Sequence, residues 1–440
     1  MNFTRYLIVF GLFLCFNAQA KVFDAAEHYL DNGLRVIVAE NHKAPVAKVM
    51  LWYQVGSINE EIDKSGLAHL LEHLMFRGTR SVPADKFNAL MNGVEYNAFT
   101  NTDFTVYHAT TDISRLELVL AVEADRMTNL NISDEAFLSE RKIVFEERQQ
   151  RIDNKPRALF AEEINQILWQ KTPYEHPVAG WATDIKALTK SDALDFYRRF
   201  YAPDNAVLVI VGDITPQIGF ELAQKYFGAI HKRSAIKTNP ETDFYISEEQ
   251  KQYFVTRKLA NVQTPQIAWQ CLVSSVKHNK RQAYALTVFS SYFGEGKNAY
   301  LERELVEKHR VIAAGSSVGI YHRGLGTFVA SFIPLTVENL TGKIDVLPGA
   351  MRAALDNLTP EMLEKEKKKI LSWFVYTKDN PEDLAYLLGL MASLGLSMDD
   401  IENHEQRLKD VTLDDVRDAM LSVLNKTKCV TAISMPKEDE

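Results

Sequence analysis

One stretch, Ser65 to Phe76, constrains this chain more than any other, because it sets three chemically demanding groups among leucines. Read as an α-helix, it places His69 and His73 four residues apart, one above the other on a single face. Glu72 follows His69 by three residues and lies about a sixth of a turn to one side. Two imidazoles at this spacing reach one metal ion, and the carboxylate beside them reaches a water next to that ion. Leu67, Leu70, Leu71 and Leu74 interleave with the polar set, so the helix is otherwise apolar and suited to a core. Burying two histidines and a glutamate without partners costs on the order of several kcal/mol. A shared metal satisfies all three at once, provided a third protein ligand comes from elsewhere.

A later helix offers that ligand. Within Phe137 to Arg148, Glu140 and Glu147 are seven residues apart and return to the same face after two turns, with Val144 between them. A pair of glutamates is ordinarily a solvated charged face, but Glu146, Arg148, Gln149 and Gln150 already provide one here. One carboxylate of the pair is a candidate third ligand; the other is a candidate acceptor for the second N–H of a ligating imidazole. His176, in the stretch Tyr174 to Trp181, reads as a loop residue rather than a ligand. Beyond the first twenty residues the chain holds only Cys271 and Cys429, too few for a finger or ribbon, so histidine and carboxylate must hold any metal. Both cysteines fall in strand-like segments, which leaves a single disulfide and two buried thiols equally open.

The start of the chain belongs to a different task. Arg5, the apolar run Tyr6 to Phe16 and the small-residue site Ala18-Gln19-Ala20 compose a cleavable secretory signal over residues 1–20, so a periplasmic or secreted location is expected. A formal charge of −8 without a basic tract argues against nucleic acid as a partner. No later stretch is long and apolar enough to span a bilayer.

At 440 residues, two domains are expected rather than one. Strand patterns at Leu34 to Glu40, Pro45 to Val55 and Ala206 to Asp213 are interleaved with helical patterns in the first half. The charged stretch 231–252 reads as a linker between a metal-binding part, 21–230, and a second part, 253–440. The second part repeats the order of the first. Gln266 to Val273 corresponds to Lys48 to Val55, and Gln282 to Phe293 takes the place of the metal helix without its ligands. Thr412 to Ser434 mirrors the helix, turn and strand of Ser191 to Gly212. The expected fold class is α+β: two homologous halves, each a mixed sheet with helices on one face.

With His69-x-x-Glu72-His73 and the Glu140/Glu147 helix in view, the chain resembles the pitrilysin/insulysin family of inverted-motif zinc peptidases. Its likeness is greatest to half-length bacterial members and the mitochondrial processing peptidase β subunit. The resemblance runs through Gly56-Ser57, Phe76-x-Gly78-Thr79, Asn97-Ala98-x-Thr100, Glu140-x6-Glu147, and Tyr201-Ala202-Pro203-Asp204-Asn205 leading into Gly212-Asp213. It implies one Zn2+ per chain on His69, His73 and Glu147, with Glu140 as the supporting carboxylate and Glu72 as general base. It also implies an edge strand carrying Asn97, Ala98 and Phe99 that receives an extended peptide by strand addition, and a chain that forms half of a clamshell. The implied activity is zinc endopeptidase action on short or unfolded peptides; the alternative is a non-catalytic peptide-binding or scaffold protein on the same fold. One departure bears on partners. Family members carry an Arg in the second half where Tyr300 stands, within Gly296 to Leu301, and a Tyr soon after, which Val311 to Ala314 lack. The expected consequence is a heterodimer in which a homologous chain without zinc ligands supplies the Arg/Tyr pair.

Overall fold

The structure is a computed structural model that describes residues 22–233, 252–308, 311–336, 346–426 and 428–437. The proposed signal segment and nearly all of the 231–252 linker lie outside the described residues.

Two sheets carry the fold. Strands β1 (Ala25–Tyr29), β2 (Arg35–Glu40), β3 (Val46–Tyr53), β4 (Glu95–Thr100), β5 (Thr105–Asp112) and β6 (Ala206–Gly212) form the first, in the order β1-β2-β6-β3-β5-β4. Strands β7 (Gln252–Leu259), β8 (Gln266–Val273), β9 (Val311–Gly319), β10 (Gly326–Pro334) and β11 (Cys429–Pro436) form the second, in the order β7-β11-β8-β10-β9. Set aside β1 and the two orders coincide strand for strand. In each, the first two neighbours are parallel (β2 with β6, β7 with β11) and the remaining pairs antiparallel. The repeat seen faintly in the sequence is one topology used twice, and the α+β class follows from it.

Period-two alternation explains how each sheet is covered. On β3, Ala47, Val49, Leu51 and Tyr53 face the helices of their own half, among them Leu67–Leu74 and Leu116–Asn129. Met50 and Trp52 face the opposite way and, with Val207, Val209 and Val211 of β6, enter a core shared with the second half. The helix Pro381–Ser393, from the second half, closes that face. It does so at close range: a Cβ added at Gly389 would sit 2.0 Å from Nε1 of Trp52. The exchange is reciprocal. The helix Pro156–Trp169, from the first half, sets Phe160, Ile164 and Leu168 against Val255, Leu272, Val430 and Ala432 of the second sheet. Each half thus keeps its own helices on one face and borrows a helix for the other.

Cys271 and Cys429 lie opposite one another on β8 and β11, with Cα atoms 4.1 Å apart, and are joined by a disulfide. No described helix is long and apolar enough to cross a membrane.

Candidate metal centre and active-site cleft

The motif helix is short, Leu67–Leu74, and its entry is fixed by contacts outside itself. Gly66 precedes it at φ +86°, and Gly180, at φ +75°, packs backbone against backbone there: a Cβ on Gly180 would fall 2.6 Å from the Gly66 Cα. The Glu60 carboxyl group, whose pKa burial pushes up to about 8, accepts from the N–H of Gly66 at 3.0 Å and of Ala68 at 2.8 Å, satisfying donors that the first turn leaves open. Ser65 donates to Asp184 at 2.6 Å and accepts from the Trp181 N–H at 2.8 Å. The turn that delivers His69 is therefore held on three sides.

Glu140 and Glu147 come from the helix Asp134–Arg148, which packs beside the motif helix. His69 Nε2 and His73 Nε2 lie 3.8 Å and 3.5 Å from Oε2 of Glu147. Tetrahedral zinc, with bonds of about 2.0–2.1 Å, holds its ligand atoms roughly 3.4 Å apart. The three donors are too far apart for good mutual hydrogen bonds and suitably spaced around a common point, so the residues fit the ion. Among the described residues they form a group able to hold a metal. Glu140, almost fully buried, accepts from His73 Nδ1 at 3.1 Å and from Arg77 Nε at 2.5 Å. Arg151, one turn past Glu147 in a wide turn that follows the helix, holds the other oxygen of Glu147 at 2.7 Å. Glu72 accepts from the Thr100 hydroxyl at 2.6 Å.

The electrostatics sort these groups. Burial, with His73 and Arg151 adding to it, lowers the His69 imidazole to about 3, so it is a neutral nitrogen donor at physiological pH. Burial raises the Glu72 carboxyl, with the Thr100 hydrogen bond and His73 pulling the other way. Against burial, the hydrogen bond to Glu140 and the charges of Glu72, Glu140 and Glu147 raise His73. Glu140 is held low by His73 and Arg77, which together outweigh its burial.

These groups open onto a cleft of about 870 Å³. Asn97, Ala98, Phe99 and Thr100 of β4 form one side and the helix Pro156–Trp169 with the loop after it the other; Gln270, His322 and Thr327 come from the second half. In the described sheet β4 pairs only with β5 and is an edge. Asn97 is exposed, and its carboxamide accepts from the Ala98 N–H at 2.9 Å. Phe99 packs edge-on against Trp52, with ring centres 6.1 Å apart. Tyr300 is half-buried and stacks on Phe293 at 6.1 Å, against the core shared by the two halves rather than among the cleft residues.

The sequence alone assigns no role to Glu60, Arg77, Thr100 or Arg151. Arg151 was within reach of the same helical argument, four residues after Glu147. Glu60 was not, since its partners depend on how a loop folds back.

Comparison with known proteins finds relatives along nearly the whole chain. A model of insulinase (peptidase family M16) matches residues 35–181, and one of the peptidase M16 inactive domain matches residues 187–370. His69, Glu72, His73, Glu140 and Glu147 all lie within the first. The zinc protease PqqE of Helicobacter pylori is 30% identical over 419 residues, covering 92% of each chain. A probable mitochondrial-processing peptidase subunit beta of Schizosaccharomyces pombe is 32% identical over 201 residues, covering 45% of this chain and 44% of its own. Among solved structures, a protease from Helicobacter pylori aligns with a TM-score of 0.83 at 28% identity, covering 94% of this chain and 99% of the other. A peptidase M16 inactive domain from Pseudomonas fluorescens shares the fold, with a TM-score of 0.81 at 17% identity and coverage of 94% and 98%. With two family models spanning most of its length and a relative aligned nearly end to end, this chain belongs to peptidase family M16.

Proposed function

We propose that this chain is a zinc-dependent endopeptidase, the catalytic subunit of an enzyme that hydrolyses short or unfolded peptides in the periplasm. The observation that carries the reading is the convergence of His69, His73 and Glu147 on one point, with the Glu72 carboxyl beside it. Those three residues would hold zinc, which when bound supplies Lewis acidity toward a peptide carbonyl and toward water. Glu140 orients His73 through Nδ1, and Arg151 leaves one oxygen of Glu147 turned toward the imidazoles. Glu72, held by Thr100, takes the proton of the attacking water and passes it to the departing amine; its raised pKa suits both tasks. The edge strand β4, with Asn97, Ala98 and Phe99, receives the substrate main chain as an added strand, which selects extended peptides over folded proteins.

A homologous chain without zinc ligands completes the enzyme as a heterodimer. The sequence supports this by placing Tyr300, packed on Phe293, where the resemblance expects an arginine, as does the relative named as a subunit beta. The Cys271–Cys429 disulfide supports an oxidising compartment, in keeping with the signal expected over residues 1–20.

The test uses the chain from residue 21 onward. One zinc per chain and hydrolysis of extended peptides, alone or with the homologous chain, are expected. A Glu72→Gln variant should keep zinc and lose hydrolysis. A chain that takes up no zinc, or whose hydrolysis survives in Glu72→Gln, overturns the reading; full activity without any partner removes the heterodimer alone.

A further inference from the structure

The second half of this chain reaches the cleft at one place that the catalytic scheme leaves unused. The β9–β10 turn carries His322, whose Nδ1 lies 2.9 Å from Oδ2 of Asp103, in the turn that ends β4 three residues after Thr100. Asp103 is 1% exposed and also accepts from the Tyr174 hydroxyl at 2.5 Å and the Arg323 N–H at 3.2 Å. A carboxylate only accepts, so Nδ1 of His322 carries the proton and, in the neutral ring, Nε2 is left as an acceptor. Thr327 stands across the strand pair from Gly319. A Cβ added at Gly319 would lie 3.4 Å from His322 Nε2 and 3.6 Å from Thr327 Oγ1. Two polar atoms thus converge beside a residue that has no side chain of its own. Among the described residues neither atom is hydrogen-bonded, and both residues line the same cleft as His69 and Glu72.

We infer that His322 Nε2 and Thr327 Oγ1 form a subsite for a hydrogen-bonding side chain of the bound peptide (Ser, Thr, Asn or Gln) beyond the Thr100 end of β4. This rests on the peptide-binding reading of the cleft given above. A peptide laid along β4 advances about 3.3 Å per residue, so a few residues carry it from the metal-facing part of the strand to this position. An apolar side chain there would cover both polar atoms without satisfying either, whereas a hydroxyl or amide donates to the imidazole and exchanges a hydrogen bond with the threonine. Asp103 acts as a positioning residue, fixing the ring through Nδ1. The selectivity is built into this chain and needs no partner.

Binding to the zinc-loaded Glu72→Gln chain tests the inference without requiring turnover. The probes are fluorescent decapeptides of one Val/Ala/Lys background in which a single Asn, or in a matched set a single Leu, is stepped through every position. One position is expected to favour Asn over Leu by about fivefold to tenfold, the worth of one partly buried hydrogen bond. That preference should vanish in Thr327→Val, which keeps shape and leaves the Asp103–His322 contact intact, and in His322→Ala, with thermal melting as the check on folding. Peptides that show no positional preference for Asn, or a preference unchanged in Thr327→Val, overturn the subsite, as does a chain that binds no peptide at all. Hydrolysis by the chain with Glu72, alone and together with the homologous chain, is measured alongside. Selective binding without hydrolysis keeps the subsite and removes the peptidase reading, and hydrolysis without selectivity does the reverse.

Discussion

Arg151 grips Oε1 of Glu147 at 2.7 Å, while Oε2 of the same carboxylate faces both imidazoles at 3.5 Å and 3.8 Å. The two oxygens have separate tasks. One is tethered by a guanidinium one helical turn away, and the other is thereby turned toward the imidazoles and the proposed metal position. An untethered glutamate would have to give up rotamer freedom on binding an ion.

Replacing that tether is therefore expected to weaken metal binding without removing it. Arg151→Ala should lower zinc affinity by about tenfold, the lower end of what supporting residues contribute. Competition with a chromophoric chelator measures this. Glu147→Ala, which removes the ligand itself, should lose far more.

The capping carboxyl group of Glu60 carries a stability prediction. Its loss in Glu60→Ala strands the N–H groups of Gly66 and Ala68 in a buried turn. A cost of about 1–3 kcal/mol is expected, to be read as a shift of the urea midpoint. Because this turn delivers His69, zinc affinity should fall in the same variant.

Asp103 predicts an acid limb. Burial works against its ionisation, but His322, Tyr174 and Arg323 outweigh burial and hold its pKa below the ordinary value. A carboxylate depressed in the folded state stabilises the fold above its unfolded pKa, about 3.9, and that stabilisation is lost as pH falls through the folded value. Urea midpoints taken from pH 7 down to pH 3 should therefore fall more steeply below about pH 4 for the natural chain than for Asp103→Asn. Parallel curves would contradict the assignment.

The disulfide spans a sequence separation of 158 residues between two strands of one sheet. Replacing both cysteines with alanine is expected to cost about 2–4 kcal/mol, by freeing the unfolded chain. Denaturation with and without reductant checks this, and the reductant should leave the double variant unaffected.

How much of the site the sequence carried depends on the range of each relationship. His69 with His73, and Glu140 with Glu147, are repeats of one helical period, and helix geometry converts such spacings into shared faces without help from elsewhere. Which glutamate would bind a metal, by contrast, is implied only by the resemblance to a family. In the structure Glu140 is taken up by His73 and Arg77, two residues of another segment, while Glu147 faces both imidazoles.

By itself the sequence determined the helical spacing of the candidate ligands, the alternation that marks the strands and the order in which a single topology recurs. All of these rest on backbone periodicities that operate within about a dozen residues. Tertiary structure alone decided that Cys271 meets Cys429, that Gly389 passes over Trp52, and that His322 reaches Asp103 across 219 positions. Such contacts are set by which apolar faces can be buried together, a property of the whole packed chain that no local pattern encodes.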